Sequence, residues 1–309
     1  MKTALIFSKA KSGNSRSGLS NRVDLISNIL HEVGFSVERA STMKIKREHY
    51  DLICIVSFSQ AWRARKLRAR TDFLWLDAMD SWKLTRKSLF TSNVMLESVR
   101  YLRDWYSTTC TKEIDLKTYC SARDLEYDGM GKGDELVLPP SPVREFELLN
   151  HGQRFVFVGP AIYPPNKEAF NFLVSQAKIG RFLHKPLFIF GEGYNLTFAL
   201  PGVFIQENAS DEEVYGSLDI HLAPIWRGAG IKYKTLNPLS LGIQVISTEE
   251  GATGIVRNSL LQVVKTESEF SQALLHSDFK HPRVRESSKL IEEDDTFLLK
   301  QKLEAVFTF

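Results

Sequence analysis

The chain alternates short apolar runs with stretches whose apolar residues recur at helical spacing. Thr3–Phe7 predicts a first strand. From Ser20 onward, Val23, Ile26, Ile29, Leu30 and Val33 fall on one helical face. Gly34 stops that helix, and residues 35–37 read as a second strand. Residues 51–56 and 73–76 are further buried strands. Residues 88–105 predict a helix whose core face carries Leu89, Val94, Leu96, Val99 and Leu102. A short strand, a helix and a last strand follow, and Pro139, Pro140 and Pro142 make a stiff exit that cannot continue a sheet. A domain boundary is expected around 140–152.

The second half repeats the pattern. Arg154–Val158 is a strand ending at Gly159-Pro160, and Pro164 and Pro165 open a helix carrying Ala169, Phe170, Phe172 and Leu173. Leu187–Phe190 runs into Gly191-Glu192-Gly193. Residues 203–205 form a short strand, and Ser210 caps a short acidic helix. Residues 219–224 form a buried strand, followed by Arg227-Gly228-Ala229-Gly230, a helix, and a strand at 243–246. Gly251 and Gly254 permit another tight loop. A strand at 260–264 and a helix at 268–275 complete this half. The tail from 284 to 306 predicts an amphipathic helix bearing Leu290, Ile291, Phe297, Leu298, Leu303 and Val306.

Composition narrows this picture. The 309 residues suffice for two domains, and 43% hydrophobic with 25% charged content is ordinary for a globular protein. A net charge of +3 does not by itself imply nucleic-acid binding. Cys54, Cys110 and Cys120 form no CxxC pair, which suits a reducing compartment better than a disulfide scaffold or structural zinc site. No apolar stretch approaches membrane-spanning length, and the first residues read as a strand rather than a secretory signal. The expected location is cytoplasmic, with peripheral contact at the inner membrane face left open.

Candidate chemistry gathers at strand ends. The Arg227–Gly230 loop brings bare N–H groups to the start of a helix, with Lys232 and Lys234 in its first turn, and such a helix start suits a phosphate. Asp77 and Asp80 follow the strand at 73–76, where catalysis is often housed, although Asp80 also suits a helix cap. In the first loop, Ser17 and Gly18 either line a cleft or form plain surface. The run from Trp62 to Arg70 carries five basic side chains, Arg63 and Arg65 among them. It is a solvated helix face, with Trp62 and Leu67 turned inward, or a patch for phosphorylated acceptors, lipid headgroups or a nucleic-acid backbone. The EEDD run at 292–295 reads as a solvated face rather than a metal cluster, and His221 as a core histidine. No HExxH, GxSxG or Cys/His dyad is present.

Two similar α/β halves joined by a proline linker, with the glycine-rich half second, resemble a GT-B glycosyltransferase. FVFVGPAIYPPNKEAFNFL resembles the stretch of that superfamily in which a strand ends in glycine and a "PN" pair precedes a helix, here Gly159, Pro165 and Asn166. IFGEGY resembles the family's Gly-x-Gly turn, at Gly191 and Gly193. SDEEVYGSLDIHLAPIWRGAGIKYKTLNPLSLGIQVIST is similar to the donor-site block of the retaining, sucrose-synthase-like group, glycosyltransferase family four.

The resemblance implies an α/β GT-B fold of two Rossmann-like domains with parallel sheets facing a central cleft. It places an acceptor domain at 1–145, a donor domain at 146–285, and a C-terminal helix at 286–309 crossing back towards the first domain. It implies transfer from a nucleotide-diphosphate sugar, such as a UDP or GDP sugar, with retention and without metal or other cofactor. Gly228, Gly230, Arg227, Lys232 and Lys234 would hold the diphosphate, and the backbone around Ile205 and Gln206 would face the base. The place of the family's ribose-binding glutamate is taken by Asn237, a neutral amide with a weaker contact to offer. The acceptor is expected to be a carbohydrate or lipid-linked molecule. A catalytically degenerate module that binds a glycan or partner, and a glycosyltransferase acting on nucleic acid, stay open as alternatives.

Overall fold

The structure is a computed structural model that describes residues 2–9, 18–43, 45–88, 94–129, 134–143, 146–195, 199–279 and 289–307. Ser17 and Leu89 lie outside the described residues, as do the side chains of Val94 and Leu96. The chain divides into two compact units, Met1–Ser141 with Glu293–Phe309, and Pro142–Glu292.

The first unit runs β1 (Thr3–Phe7), α1 (Gly18–Glu32), β2 (Ser36–Ala40), β3 (Tyr50–Val56), a 3-10 helix (Phe58–Arg63), α2 (Ala64–Arg68), β4 (Thr71–Met79), α3 (Trp82–Ser88), α4 (Val94–Cys110), a second 3-10 turn (Thr111–Glu113), β5 (Leu116–Tyr119), α5 (Ala122–Asp128) and β6 (Asp134–Val137). Its strands form one parallel sheet in the order β2-β1-β3-β4-β5-β6. The centre of the sheet is apolar on both faces, as continuous runs such as YDLICIV require.

The second unit runs β7 (Arg154–Val158), α6 (Pro164–Lys178), β8 (Leu187–Phe190), β9 (Val203–Gln206), α7 (Asp211–Val214), β10 (Asp219–Ala223), α8 (Tyr233–Ser240), β11 (Gln244–Thr248), β12 (Leu261–Val264) and α9 (Glu267–Leu275). Its parallel order is β12-β11-β10-β7-β8-β9, the doubly wound arrangement in which the chain reverses direction between β7 and β10. Ser210 and Thr266 cap α7 and α9, and Ser210 and Glu213 complete a capping box.

Helix α10 (Thr296–Val306) returns to the first unit, where Leu299, Leu303 and Phe307 enter its core. Phe307 meets Phe35 and Phe73 edge-on, with centroids 5.0 and 5.6 Å away. Asp295 exchanges bonds with Val137, accepting from its N–H at 2.8 Å and donating its own N–H to the carbonyl at 2.8 Å.

Several expectations are corrected. The described helix of the tail starts at Thr296, while Ile291 bridges antiparallel to Ile255 in the second unit. Phe297, Leu298 and Val306 are exposed, because the stripe that meets the core is Leu299-Leu303-Phe307. The inward face of α4 is also not the apolar one. Val99 and Leu102 are exposed, and Asp104, Ser107 and Cys110 are buried.

Candidate functional site

The reversal between β7 and β10 makes a crevice at the carboxyl ends of two adjacent strands, the usual ligand position in a doubly wound sheet. Glycines let the surrounding loops close in. Gly159 ends β7 with φ +136°, and a Cβ there would lie 2.6 Å from Asn166 Nδ2 and 3.1 Å from Lys234 Nζ. A Cβ at Gly191 would overlap the Gly159 carbonyl. The loops after β7 and β8 are thus pressed backbone to backbone, joined by Gly159 N–H to the Phe190 carbonyl and Ala161 N–H to the Glu192 carbonyl, each 2.9 Å.

Three cations follow β10 here, and they differ in what already holds them. Lys232 stands just before α8 rather than in its first turn as expected, and is buried. Its ammonium donates to the Ala229 and Gly230 carbonyls at 3.0 and 2.7 Å, and lies 3.4 Å from a Glu250 oxygen. It pins the glycine loop from beneath. Arg227 makes a two-pronged ion pair with Glu168 of α6 and is held above its ordinary range by that partner.

Lys234, in the first turn of α8, has no carboxylate partner among the described residues. It donates to Asn166 Oδ1 and stands 4.6 Å from the Phe157 ring centroid. Burial, followed by the charge of Lys232, pushes it down to about 7. This cation is poorly compensated, and an anion in the crevice would restore its charge.

The loop after β11 closes one side. Thr248 Oγ1 donates to the Ile225 carbonyl and accepts from Gly251 N–H at 3.0 Å, while Thr235 Oγ1 donates to the Gly251 carbonyl at 2.7 Å. Gly251 has no room for a side chain, since a Cβ would lie 2.7 Å from the Ala223 carbonyl.

Other predicted residues stand elsewhere or are already engaged. The Gln206 carbonyl accepts from Gly191 N–H at 3.1 Å, and its side chain donates to Glu213 at 2.8 Å. Ile205 packs on the core of the unit. Gly193, at φ +79°, donates its N–H to Glu207. Both ends of the Asn237 amide are in use: Oδ1 accepts from Val143 N–H at 3.1 Å, and Nδ2 donates to the Tyr215 hydroxyl at 3.2 Å. Those bonds tie α8 to the segment entering the unit.

In the first unit, Asp77 is fully buried. It accepts from Arg22 Nε at 2.8 Å, Arg22 Nη2 at 2.5 Å and Thr118 Oγ1 at 2.7 Å. This network anchors α1 to β4. Helix α3 is capped by Asp128 and Ser81. Asp128 accepts from the N–H groups of Trp82 and Lys83 at 2.8 and 3.4 Å, and Ser81 Oγ accepts from Leu84 N–H at 3.2 Å. The basic run forms two short helices rather than one. Arg63 stacks 4.2 Å from the Trp62 ring centroid and 5.2 Å from that of Phe7, and Arg65 is exposed. Gly18 is the exposed first residue of α1.

Glu168 and Glu250 pair with cations of this site, and the buried ring of Phe157 lies against Lys234. Their only sequence signal was position: Glu168 shares the helix of Asn166, and Glu250 adjoins Gly251.

No protein-family model and no curated protein sequence matches the chain. Solved structures do match. The lipopolysaccharide outer core galactosyltransferase WaaB, in its apo form, aligns over 100% of this chain and 99% of its own at 14% identity and TM-score 0.55. An E. coli trehalose-6-phosphate protein bound with UDP-2-fluoro glucose aligns over 89% and 92% at 10% identity and TM-score 0.57. The pneumococcal O-GlcNAc transferase GtfA, in complex with UDP and GlcNAc, aligns over 72% of this chain at 10% identity and TM-score 0.51. The match spans about half, 48%, of that protein's own length. With two six-stranded parallel sheets flanked by helices, this chain has the fold of the GT-B glycosyltransferases.

Proposed function

We propose that the protein is a glycosyltransferase that moves a sugar from a nucleotide-diphosphate donor to a carbohydrate or lipid-linked acceptor, with retention and without a metal. The observation that carries this reading is Lys234, a poorly compensated ammonium at the strand reversal of the second unit, flanked by Lys232 and Arg227. As the bond between the anomeric carbon and the diphosphate oxygen breaks, negative charge grows on the leaving group. Fixed cations and N–H groups at that point favour the transition state over the ground state. The same three cations are the reason to propose metal independence. Retention rests on the sequence resemblance alone. GtfA was solved with UDP and the E. coli protein with a UDP sugar, so uridine is the first base to try.

Isothermal calorimetry with UDP, GDP, ADP and TDP tests the reading. One of them should bind, and Lys234→Met should weaken it about tenfold or more, or roughly 1.4 kcal/mol. Failure of all four to bind sinks the proposal.

A second reading, a glycan- or partner-binding module without turnover, is favoured by Asn237, whose amide is committed to Val143 and Tyr215. It predicts nucleotide binding with neither transfer nor donor hydrolysis across an acceptor panel.

A further inference from the structure

We propose that the outward face of α4 docks the protein on a membrane surface bearing anionic lipid headgroups. The helix is inverted relative to an ordinary surface helix. Its buried side carries Asp104, Ser107 and Cys110, and its exposed side carries Val99, Leu102, Trp105 and Tyr106, flanked by Tyr101. These five are 61%, 62%, 58%, 44% and 54% exposed. Val99, Leu102, Trp105 and Tyr106 follow one another at spacings of three, three and one, which makes a continuous stripe along the helix. Isolated exposed apolar residues need no explanation, but a contiguous stripe containing tryptophan and tyrosine marks an interaction surface. No described helix is long and apolar enough to cross a membrane, so the mode is that of a helix lying in the interface.

Charge selects the occupant. Helix α4 carries two carboxylates, Glu97 and Asp104, beside Arg100 and Arg103, and Asp104 is buried and bonded to Arg103 at 2.8 and 3.0 Å. The rim is cationic. Arg86 of α3 stacks 4.9 Å from the Tyr101 ring centroid, Lys87 beside it is exposed, and Arg103 keeps half its side chain in solvent. The helix packs on the 3-10 helix Phe58–Arg63, which opens the basic run ending at Arg70. A second copy of the chain meeting this face symmetrically would set that positive rim against itself. An anionic bilayer satisfies both parts, taking the apolar stripe below the headgroups and the guanidinium and ammonium groups among them. The inference does not depend on the reaction proposed above, since it concerns the first unit alone and is read out by vesicle binding.

The test is co-sedimentation of the full chain with vesicles of phosphatidylcholine, alone or mixed with phosphatidylglycerol. Binding is expected to the mixed vesicles, at least tenfold weaker to the neutral ones, and falling with added salt. Leu102→Glu with Trp105→Glu should abolish it. Arg86→Glu with Lys87→Glu should weaken it on mixed vesicles only. Thermal melts of the Leu102/Trp105 variant should match the parent, because those two side chains face solvent. Absence of binding to mixed vesicles, or binding that survives the Leu102/Trp105 change, overturns the proposal. A concentration-dependent dimer in sedimentation velocity, lost in the same variant and with no vesicle binding, assigns the face to a second copy and also overturns it.

Discussion

Lys234 of α8 donates to the Asn166 side chain of α6 directly beneath the carboxyl end of β7, so one hydrogen bond joins the helices that leave the strand reversal in opposite directions. The bond satisfies the amide oxygen but leaves the positive charge without a counter-ion among the described residues. Asn166 in turn donates to the Pro160 carbonyl at 2.9 Å, which fixes the loop after β7 against the same pair.

Lys234 makes the site sensitive to pH. Its folded value lies at about 7, against 10.5 for the free side chain. Between those values the unfolded chain binds more protons than the folded one, so stability without ligand rises with pH across the window and falls as pH drops towards 7. Lys234→Met removes that slope and should raise the melting temperature at neutral pH by a few degrees. A bound diphosphate pulls the lysine back towards its charged form, so binding above pH 7 takes up protons and weakens as pH climbs. Calorimetry in buffers of different ionisation enthalpy measures the uptake. Equal uptake by the parent and by Lys234→Met would place the coupled proton elsewhere.

Asp77 is predicted to matter for folding and not for chemistry. Asp77→Asn leaves the Arg22 guanidinium buried without its charge partner, which costs about 3–5 kcal/mol in such settings. Chemical denaturation should show that loss, with nucleotide affinity of the folded protein unchanged. Full stability combined with a large drop in transfer rate would return Asp77 to the reaction.

The close approach of the loops after β7 and β8 can be tested with a paired comparison. Gly191→Ala forces its methyl group into the Gly159 carbonyl, so one loop must move, at a cost of about 1–3 kcal/mol and with loss of nucleotide affinity. Gly152→Ala has open space but a φ of +77°, and should cost about 1 kcal/mol with affinity intact. Equal effects of the two on binding would count against the crevice as the ligand site.

The alternation of apolar runs and helical stripes was enough to read the strands of both sheets, because a parallel strand covered on both faces leaves a continuous apolar signature. β1, β7 and β8 fall on the residues read from sequence. Gly159 and Gly191 were legible for a related reason, since loops at strand ends need glycine where backbones touch, whereas Lys234 was read from the helix start and Asn166 from the family resemblance alone. What could not be read were partnerships between distant positions. Nothing local marks Asp77 as the partner of Arg22, 55 residues earlier, or Glu168 as the partner of Arg227. Helix α4 misled for a different reason. Periodicity reports that a helix has two faces, and the usual assumption that the apolar one turns inward fails where that face serves the surface.

The last prediction concerns the two carboxylates that pair with cations of this site. Glu168 holds Arg227 on a surface where both side chains remain more than one-third exposed, so the pair itself adds little to stability, about 0–1 kcal/mol. Its larger effect is on ligand charge. A carboxylate clamped to the guanidinium must release it, or repel the incoming diphosphate, when the donor binds. Glu168→Gln keeps the shape and removes that competition. It should tighten nucleoside diphosphate binding several-fold at low salt, with the gain fading as salt screens the site. Glu250→Gln should do the opposite, since Glu250 helps Lys232 hold the glycine loop in place and the loop loosens without it. Titrations of both variants at two salt concentrations separate these effects. Weaker binding by Glu168→Gln would mean that the Arg227 ion pair positions the arginine for the ligand rather than withholding it.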